Sequence, residues 1–265
     1  MSEAVVLSSI DARGVATVTL NRPKVNNAYN GEVVQGLMDA LGAFAVDDSV
    51  RVIVLRGNGP HFQAGADLKW LNEESAKSPE ANDEVSRRTT SAIRGLDACP
   101  KPTIALVHGG CFGGGVGVVA ACDIAIASQD AIFAITEVRW GVVATPIFPQ
   151  LIAAMGPRNV RRYALSAERF GAEQAKALGL VHETCPTGGL DEAAAPIIDS
   201  ILKNGPDAVS WTKNQIMELG GFLVDDAVAE KIALLHSAKR QTEEAEEGLL
   251  SFAEKREAKW YPTPE

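Results

Sequence analysis

Thr103-Ile104-Ala105-Leu106-Val107-His108-Gly109-Gly110-Cys111-Phe112-Gly113-Gly114-Gly115 opens with five apolar or β-branched residues and closes on a cluster of glycines. An unbroken apolar run of that length is the pattern of a strand buried on both faces, as in parallel sheets covered by helices. The same order occurs earlier: Val52-Ile53-Val54-Leu55 ends at Gly57-Asn58-Gly59-Pro60 and passes into His61-Phe62-Gln63-Ala64-Gly65-Ala66-Asp67-Leu68-Lys69. Upstream, Val15-Ala16-Thr17-Val18-Thr19-Leu20 reads as a strand running into a loop at Asn21-Arg22-Pro23. Val34, Leu37, Met38, Leu41 and Ala45 then form one stripe of an amphipathic helix. A further strand is predicted at Ile124-Ala125-Ile126-Ala127, and the polar stretch from Asn72 to Arg88 leads into another helix. Alternating strands and helices predict a layered α/β architecture with right-handed crossovers.

From about Pro157 the strand signals fade. Helical patterns follow at Ala172 to Leu178, Asp191 to Lys203, Asp207 to Leu219 and Asp225 to Lys259, punctuated by Gly205-Pro206 and Gly220-Gly221. No fixed-period repeat or Pro/Gly/Ser-rich linker divides the chain, so the expected organisation is an α/β core over 1–195 and a C-terminal helical region over 196–265. With 265 residues, 46% of them hydrophobic and 22% charged, the chain can bury a sizeable core. Its 25 Lys and Arg against 34 Asp and Glu give a net charge of −9, which argues against nucleic acid or an anionic membrane surface as partner. The start Met1-Ser2-Glu3-Ala4-Val5-Val6-Leu7 lacks the cationic segment of a signal peptide, so a cytoplasmic location is expected. Cys99, Cys111, Cys122 and Cys185 form no CxxC pair and do not cluster with His61, His108, His182 or His236 at zinc-like spacing. Reduced, buried thiols and no metal site are expected.

The two segments His61–Lys69 and His108–Gly115 are richer in glycine and alanine than packing requires. Small residues let backbone approach a ligand, and successive free N–H groups at a helix start hold an anion or an oxyanion. The plainer alternative is a pair of tight strand-to-helix turns. Gly115-Val116-Gly117-Val118-Val119-Ala120 also satisfies a dinucleotide fingerprint, with Glu137 about 20 residues on. Against that, Gly113 and Gly114 lengthen the turn, and Gly117 leads straight into Ala-rich helix. No G-x-S-x-G elbow and no P-loop is present.

Asn21-Arg22-Pro23-Lys24, Phe62-Gln63-Ala64-Gly65-Ala66-Asp67, Gly113-Gly114-Gly115, Ala121-Cys122-Asp123, Phe133-Ala134-Ile135-Thr136-Glu137 and Ala175-Lys176-Ala177-Leu178-Gly179-Leu180-Val181 fall in a familiar order and spacing. The chain resembles the crotonase (enoyl-CoA hydratase/isomerase) superfamily over essentially its whole length, and Phe252-Ala253-Glu254-Lys255-Arg256 is similar to that family's closing helix. The resemblance implies a crotonase-like layered β-β-α superhelical core with a C-terminal helical trimerisation tail. It implies an acyl-CoA substrate, a homotrimer or dimer of trimers, and no cofactor beyond the coenzyme A that the substrate carries. It also implies an oxyanion hole from the backbone N–H groups of Ala66 and Gly114, worth about 3–4 kcal/mol per donor where charge develops. Lys24, Ala28, Ala64 and Leu68 match positions lining the coenzyme A site, and Lys255 matches a tail lysine that reaches a neighbouring subunit's coenzyme. Without the resemblance, the two lysines read as solvated charges and the other three as ordinary packing.

Typical hydratases of the family carry one glutamate two residues after the glycine triplet and a second in an F-x-x-x-E segment. Here the first position is Gly117 and the second Glu137. One carboxylate could hydrate an unsaturated thioester by shuttling the proton of the added water, but moving a proton between two carbons then competes as the reaction. The plain alternative for Glu137 is a helix-entry glutamate paired with Arg139. Thr136–Gly141, Pro146–Pro149, Arg161–Phe170 and Ala66–Trp70 resemble the methylglutaconyl-CoA hydratase branch more closely. Gly117 and Ala144, where a glutamate and a proline are common, suggest room for a branched acyl group such as an isohexenyl chain. The leading expectation is therefore hydration of a glutaconyl-type thioester, isohexenylglutaconyl-CoA or 3-methylglutaconyl-CoA, in acyclic terpene or leucine catabolism. The alternatives are an enoyl-CoA isomerase or other single-glutamate reaction of the family, and a non-catalytic CoA-binding protein. For a substrate carboxylate only Arg139 offers itself, and a surface ion pair is its plainer reading.

Overall fold

The computed structural model describes residues 4–221 and 223–260, so Met1-Ser2-Glu3 and the last five residues of the two expected regions lie outside it. The main sheet is built from β1 (Val6–Ile10), β2 (Val15–Leu20), β3 (Val52–Gly57), β4 (Thr103–Val107), β6 (Ile124–Ser128) and β9 (Glu183–Cys185), in the order β1-β2-β3-β4-β6-β9. Only the β1–β2 pair is antiparallel. A second sheet joins β5 (Gly110–Phe112), β7 (Ile132–Ala134) and β8 (Phe170–Gly171).

The period of two along each central strand divides the core. Ile53, Leu55, Ala105 and Val107 face one side, against Leu37, Leu41 and Phe44 of α1 (Gly31–Val46). Val52, Val54, Ile104, Leu106 and Ile126 face the other, under Leu190, Ala194 and Ile198 of α7 (Leu190–Leu202). Both faces are dry, which is why these strands read as continuous apolar runs. The expected boundary at 195/196 falls inside α7, a helix that covers the sheet.

The remaining helices are α2 (Leu68–Ser75), α3 (Pro79–Asp97), α4 (Gly114–Ala121), α5 (Phe148–Ser166), α6 (Ala172–Ala177), α8 (Pro206–Leu219), α9 (Asp226–Arg240) and α10 (Glu243–Ala253). The polar Asn72–Arg88 stretch is itself helical, belonging to α2 and α3. Ser78 caps α3, and α9 buries its Asn82, Ser86 and Thr90 face, so the burial there is of polar residues that periodicity does not reveal. The fading of strands after Pro157 holds except for the short β8 and β9. The run from Asp225 to Lys259 divides at Gln241-Thr242, where the Thr242 hydroxyl accepts the Ala245 N–H at 3.3 Å and starts α10. Gly115 and Gly117 lie inside α4, so the turn that a dinucleotide fingerprint needs is absent there. All four cysteines are free and buried, and no described helix is long and apolar enough to cross a membrane.

The tail folds back over its own chain. α10 packs on the 3-10 turn Glu137–Trp140, and the Trp140 and Phe252 rings meet edge to face at 5.0 Å. The contact is backbone to backbone: a Cβ on Gly248 would come within 2.4 Å of the Trp140 carbonyl, and one on Gly141 within 2.5 Å of the Glu244 carbonyl oxygen. Gly248→Val should therefore lift α10 off this turn, at an overpacking cost of about 1–3 kcal/mol. A lowered thermal midpoint by circular dichroism is expected, and a wild-type midpoint would contradict the packing described.

Candidate active site

The two glycine-rich segments are stitched together by main-chain bonds. Phe62 N–H donates to the His108 carbonyl at 2.9 Å, Gln63 N–H to Gly110 at 3.2 Å, and Phe112 N–H back to Gln63 at 2.9 Å. The loop after β2 is tied to them by Asn27, whose buried amide donates to the carbonyls of Asn58 and His61, both at 2.8 Å, while its oxygen accepts the Arg22 N–H. Arg22 also donates to the Ala28 carbonyl and pairs with Asp67 at 3.1 Å. This network explains the Asn21–Lys24 motif as a loop-holding device.

Within this frame the N–H groups of Ala64 and Asp67 are used, donating to Asn26 and Tyr29 at 2.9 and 2.8 Å. The intervening Ala66 N–H has no hydrogen-bond acceptor among the described residues, nor has the N–H of Gly114 at the first position of α4. A helix start leaves such donors unpaired and carries the positive end of the helix dipole. Both residues line one cavity of about 500 Å³, with Ala28, Ala64, Leu68 and Glu137. Six of the eight residues expected at the site are thus brought together. Lys24 is exposed on the turn beside the cavity-lining Val25, and Lys255 is exposed beyond α10; neither lines this cavity. Lys69, Arg139 and Arg169 are the cations that do.

Glu137 reaches the glycine loop from the turn held by α10. A Cβ on Gly113, whose φ is +51°, would lie 2.9 Å from Glu137 Oε1, so this carboxyl is admitted only because residue 113 has no side chain. Its Oε2 is buried without a partner. Burial pushes the carboxyl up to about 7, partly offset by the backbone N–H groups of Glu137 and Thr136. The ion pair with Arg139 does not form; Arg139 Nη2 donates to the Ala167 carbonyl at 2.8 Å.

Sequence reasoning missed Tyr29 and His236. The Tyr29 ring lies over Gly114, where a Cβ would approach its Cε1 to 2.7 Å, and meets Trp70 edge to face. Burial, followed by the negative charge of Glu137, raises its phenol well above the usual range, so it keeps its proton. His236 arrives from α9, nearly 100 residues beyond Glu137 in the chain. His236 falls on the buried stripe of α9 with Ile232, Ala233 and Arg240, but that periodicity signals burial and not a cavity, and no local signal marks Tyr29.

The space expected at Gly117 is occupied. A Cβ there would fall 2.0 Å from Cγ2 of Ile147, a residue that lines the cavity, so an isoleucine packs where the family's first glutamate would stand. Ala144 does line the cavity.

The sequence model of the enoyl-CoA hydratase/isomerase family matches residues 11–262. This chain belongs to the enoyl-CoA hydratase/isomerase family. It is 35% identical to hydroxycinnamoyl-CoA hydratase-lyase of Pseudomonas fluorescens over 76% of this chain and 74% of that protein. It is 32% identical to the peroxisomal Delta(3,5)-Delta(2,4)-dienoyl-CoA isomerase of Arabidopsis thaliana over 91% and 90%. Among solved structures, an enoyl-CoA hydratase from Shewanella pealeana superposes with a TM-score of 0.79 at 34% identity, covering 97% of this chain and 96% of that one. The α/β fold with a helical C-terminal region is that of the enoyl-CoA hydratase/isomerase family, which includes both hydratases and isomerases.

In this member, Gly117→Glu should strain the contact between α4 and Ile147, and combining it with Ile147→Gly should recover the lost thermal stability. A single variant as stable as wild type would show that Ile147 does not occupy that space.

Proposed function

We propose that the chain hydrates a branched, glutaconyl-type α,β-unsaturated acyl-CoA, with Glu137 as its single acid and base. The observation that carries this reading is the buried Glu137 carboxyl against Gly113, beside the free Ala66 and Gly114 N–H groups. The thioester carbonyl accepts both N–H bonds, which draws electrons from Cβ. Ionised Glu137 takes a proton from water as the oxygen adds to Cβ, and the resulting acid delivers a proton to Cα as the enolate collapses. One group serves both steps best when it titrates near the working pH, as its burial arranges. A protein that only bound coenzyme A would have no use for a carboxyl raised in this way.

For the acyl group, support comes from the cavity's breadth and its apolar lining by Val33, Val34, Leu37 and Ile93, with Ala144 leaving room. Gly117 adds none. Ile147 over Gly117 favours one second reading, a double-bond isomerase, because Glu137 then stands alone at the two family positions, the cavity's other carboxylate, Asp67, being paired with Arg22. In this reading Lys69, which lines the cavity, and Lys24, on the turn beside it, meet coenzyme phosphates, and Lys255 meets those of a neighbouring subunit. α8 exposes Trp211, Ile216 and Leu219 and buries none of its residues, which suits docking on another copy in a trimer or dimer of trimers.

Turnover of isohexenylglutaconyl-CoA, 3-methylglutaconyl-CoA and crotonyl-CoA tests the reading. Loss of the enoyl-thioester absorbance on the branched substrates, with uptake of labelled water oxygen, is expected. Migration of the band without that uptake would favour the isomerase, and a preference for crotonyl-CoA would end the branched-substrate reading.

Glu137→Gln should lower turnover by about 10²–10⁴-fold. Its stability effect has a definite sign. The wild-type carboxyl titrates near 7 when folded and near its usual 4.5 when unfolded, so stability present below pH 4.5 is lost as pH rises through 7. Relative to wild type, the glutamine variant should therefore gain roughly 2–3 kcal/mol between pH 4 and pH 8 in denaturant melts. Parallel pH profiles would show that the group is not buried as described.

A further inference from the structure

The interface of α3 and α9 contains a buried cation without a counter-ion. Arg240 is 2% exposed, and its Nε and Nη1 have no partner among the described residues. Elsewhere on the same interface arginines do have carboxylates: Arg87 pairs with Glu230 at 2.7 Å and Arg94 with Asp226 at 2.5 Å. None of the described carboxylates forms an ion pair with Arg240. An uncompensated charge in such a place costs several kcal/mol, which an anion brought close to it would offset.

The remaining nitrogen of Arg240 leads towards the cavity. Nη2 donates to the Asn82 carbonyl at 2.7 Å and to Ser86 Oγ at 3.2 Å. Ser86 Oγ lies 3.1 Å from His236 Nδ1. A guanidinium has no acceptor, so Ser86 accepts from Arg240; its own hydrogen is then free for His236 Nδ1, and we assign it there. That assignment makes Nδ1 the acceptor and places the ring hydrogen on Nε2. His236 lines the cavity, and Nε2 makes no hydrogen bond among the described residues. Burial, then the Arg240 charge, depresses the imidazole to about 3, so the ring is neutral at ordinary pH and keeps one N–H to donate.

Leu71, Ala92 and Ile93 line the same cavity as His236, as does Thr89, whose hydroxyl is taken up by the Val85 carbonyl. A single oriented donor in that wall, backed by a buried positive charge, selects an acceptor on the acyl chain, and an anionic one above a neutral one. We propose that His236, oriented by Ser86 and polarised by Arg240, recognises a carboxylate at the distal end of the acyl group, so that the substrate is the mono-CoA thioester of a dicarboxylic acid. The proposal rests on the reading of this cavity as the acyl-CoA site. It assigns the carboxylate to His236 and Arg240, whereas Arg139 is exposed and already donates to Ala167.

Calorimetric binding of two saturated, unreactive thioesters of equal chain length, glutaryl-CoA and valeryl-CoA, separates recognition from turnover. The wild type should bind glutaryl-CoA at least 10-fold more tightly. Arg240→Met and His236→Phe should each reduce that ratio about 10-fold or more, while Arg240→Lys retains part of it. Thermal melts of each variant establish that it is folded, and the ratio is a readout that a merely structural role would not move. A wild-type ratio of one or less, a ratio unchanged in both variants, or its loss in Arg139→Gln instead would overturn the assignment. Failure to bind either thioester would overturn the acyl-CoA reading along with it.

Discussion

Two peptide N–H groups, those of Ala66 and Gly114, are kept inside the fold without acceptors. Leaving donors unsatisfied is costly, so the surrounding backbone has to be held rigidly enough that they cannot relax onto nearby carbonyls. The ladder between Phe62–Gln63 and His108–Phe112 does part of this, and the Asn27 amide and the Arg22–Asp67 pair do the rest. β3 and β4 deliver the two segments side by side because they are neighbouring parallel strands. The apolar runs, the glycine clusters and the Asn21–Lys24 loop thus serve one geometric requirement.

The second constraint is the admission of a carboxyl into that place. Glu137 fits only against a glycine at 113, on a turn clamped by α10 through Gly141 and Gly248. Closing the site with the chain's own tail removes water, and loss of water is what raises the carboxyl towards neutrality. The same tail carries α9, and with it the cavity-lining His236 and the buried Arg240.

Much of the core was legible in order and type. The runs at Val15, Val52, Thr103 and Ile124 became β2, β3, β4 and β6, and the stripe from Val34 to Ala45 became the buried face of α1. The first half of α3 escaped because the residues it buries, Asn82 and Ser86, are polar and are covered by α9 from a distant part of the chain. At the site, Ala66, Gly114, Glu137, Ala28, Ala64 and Leu68 were named from the resemblance to the family's motifs, and the fold brings all six to one cavity. Tyr29 and His236 could not, since each matters only through a neighbour remote in sequence.

The sequence alone determined which backbone could come close: strand-length apolar runs require burial on both faces, and glycines at 113 and 114 remove the side chains that would block the approach. It also determined that a single carboxylate, Glu137, stands at the two expected positions. Whether the missing one leaves space is a different kind of question, and its answer is Ile147, which arrives from another segment to fill the volume over Gly117. Volume, burial and the partner of a buried charge are properties of what surrounds a residue. Only the folded chain decides them, because its close packing leaves no vacancy that a substitution read in isolation would predict.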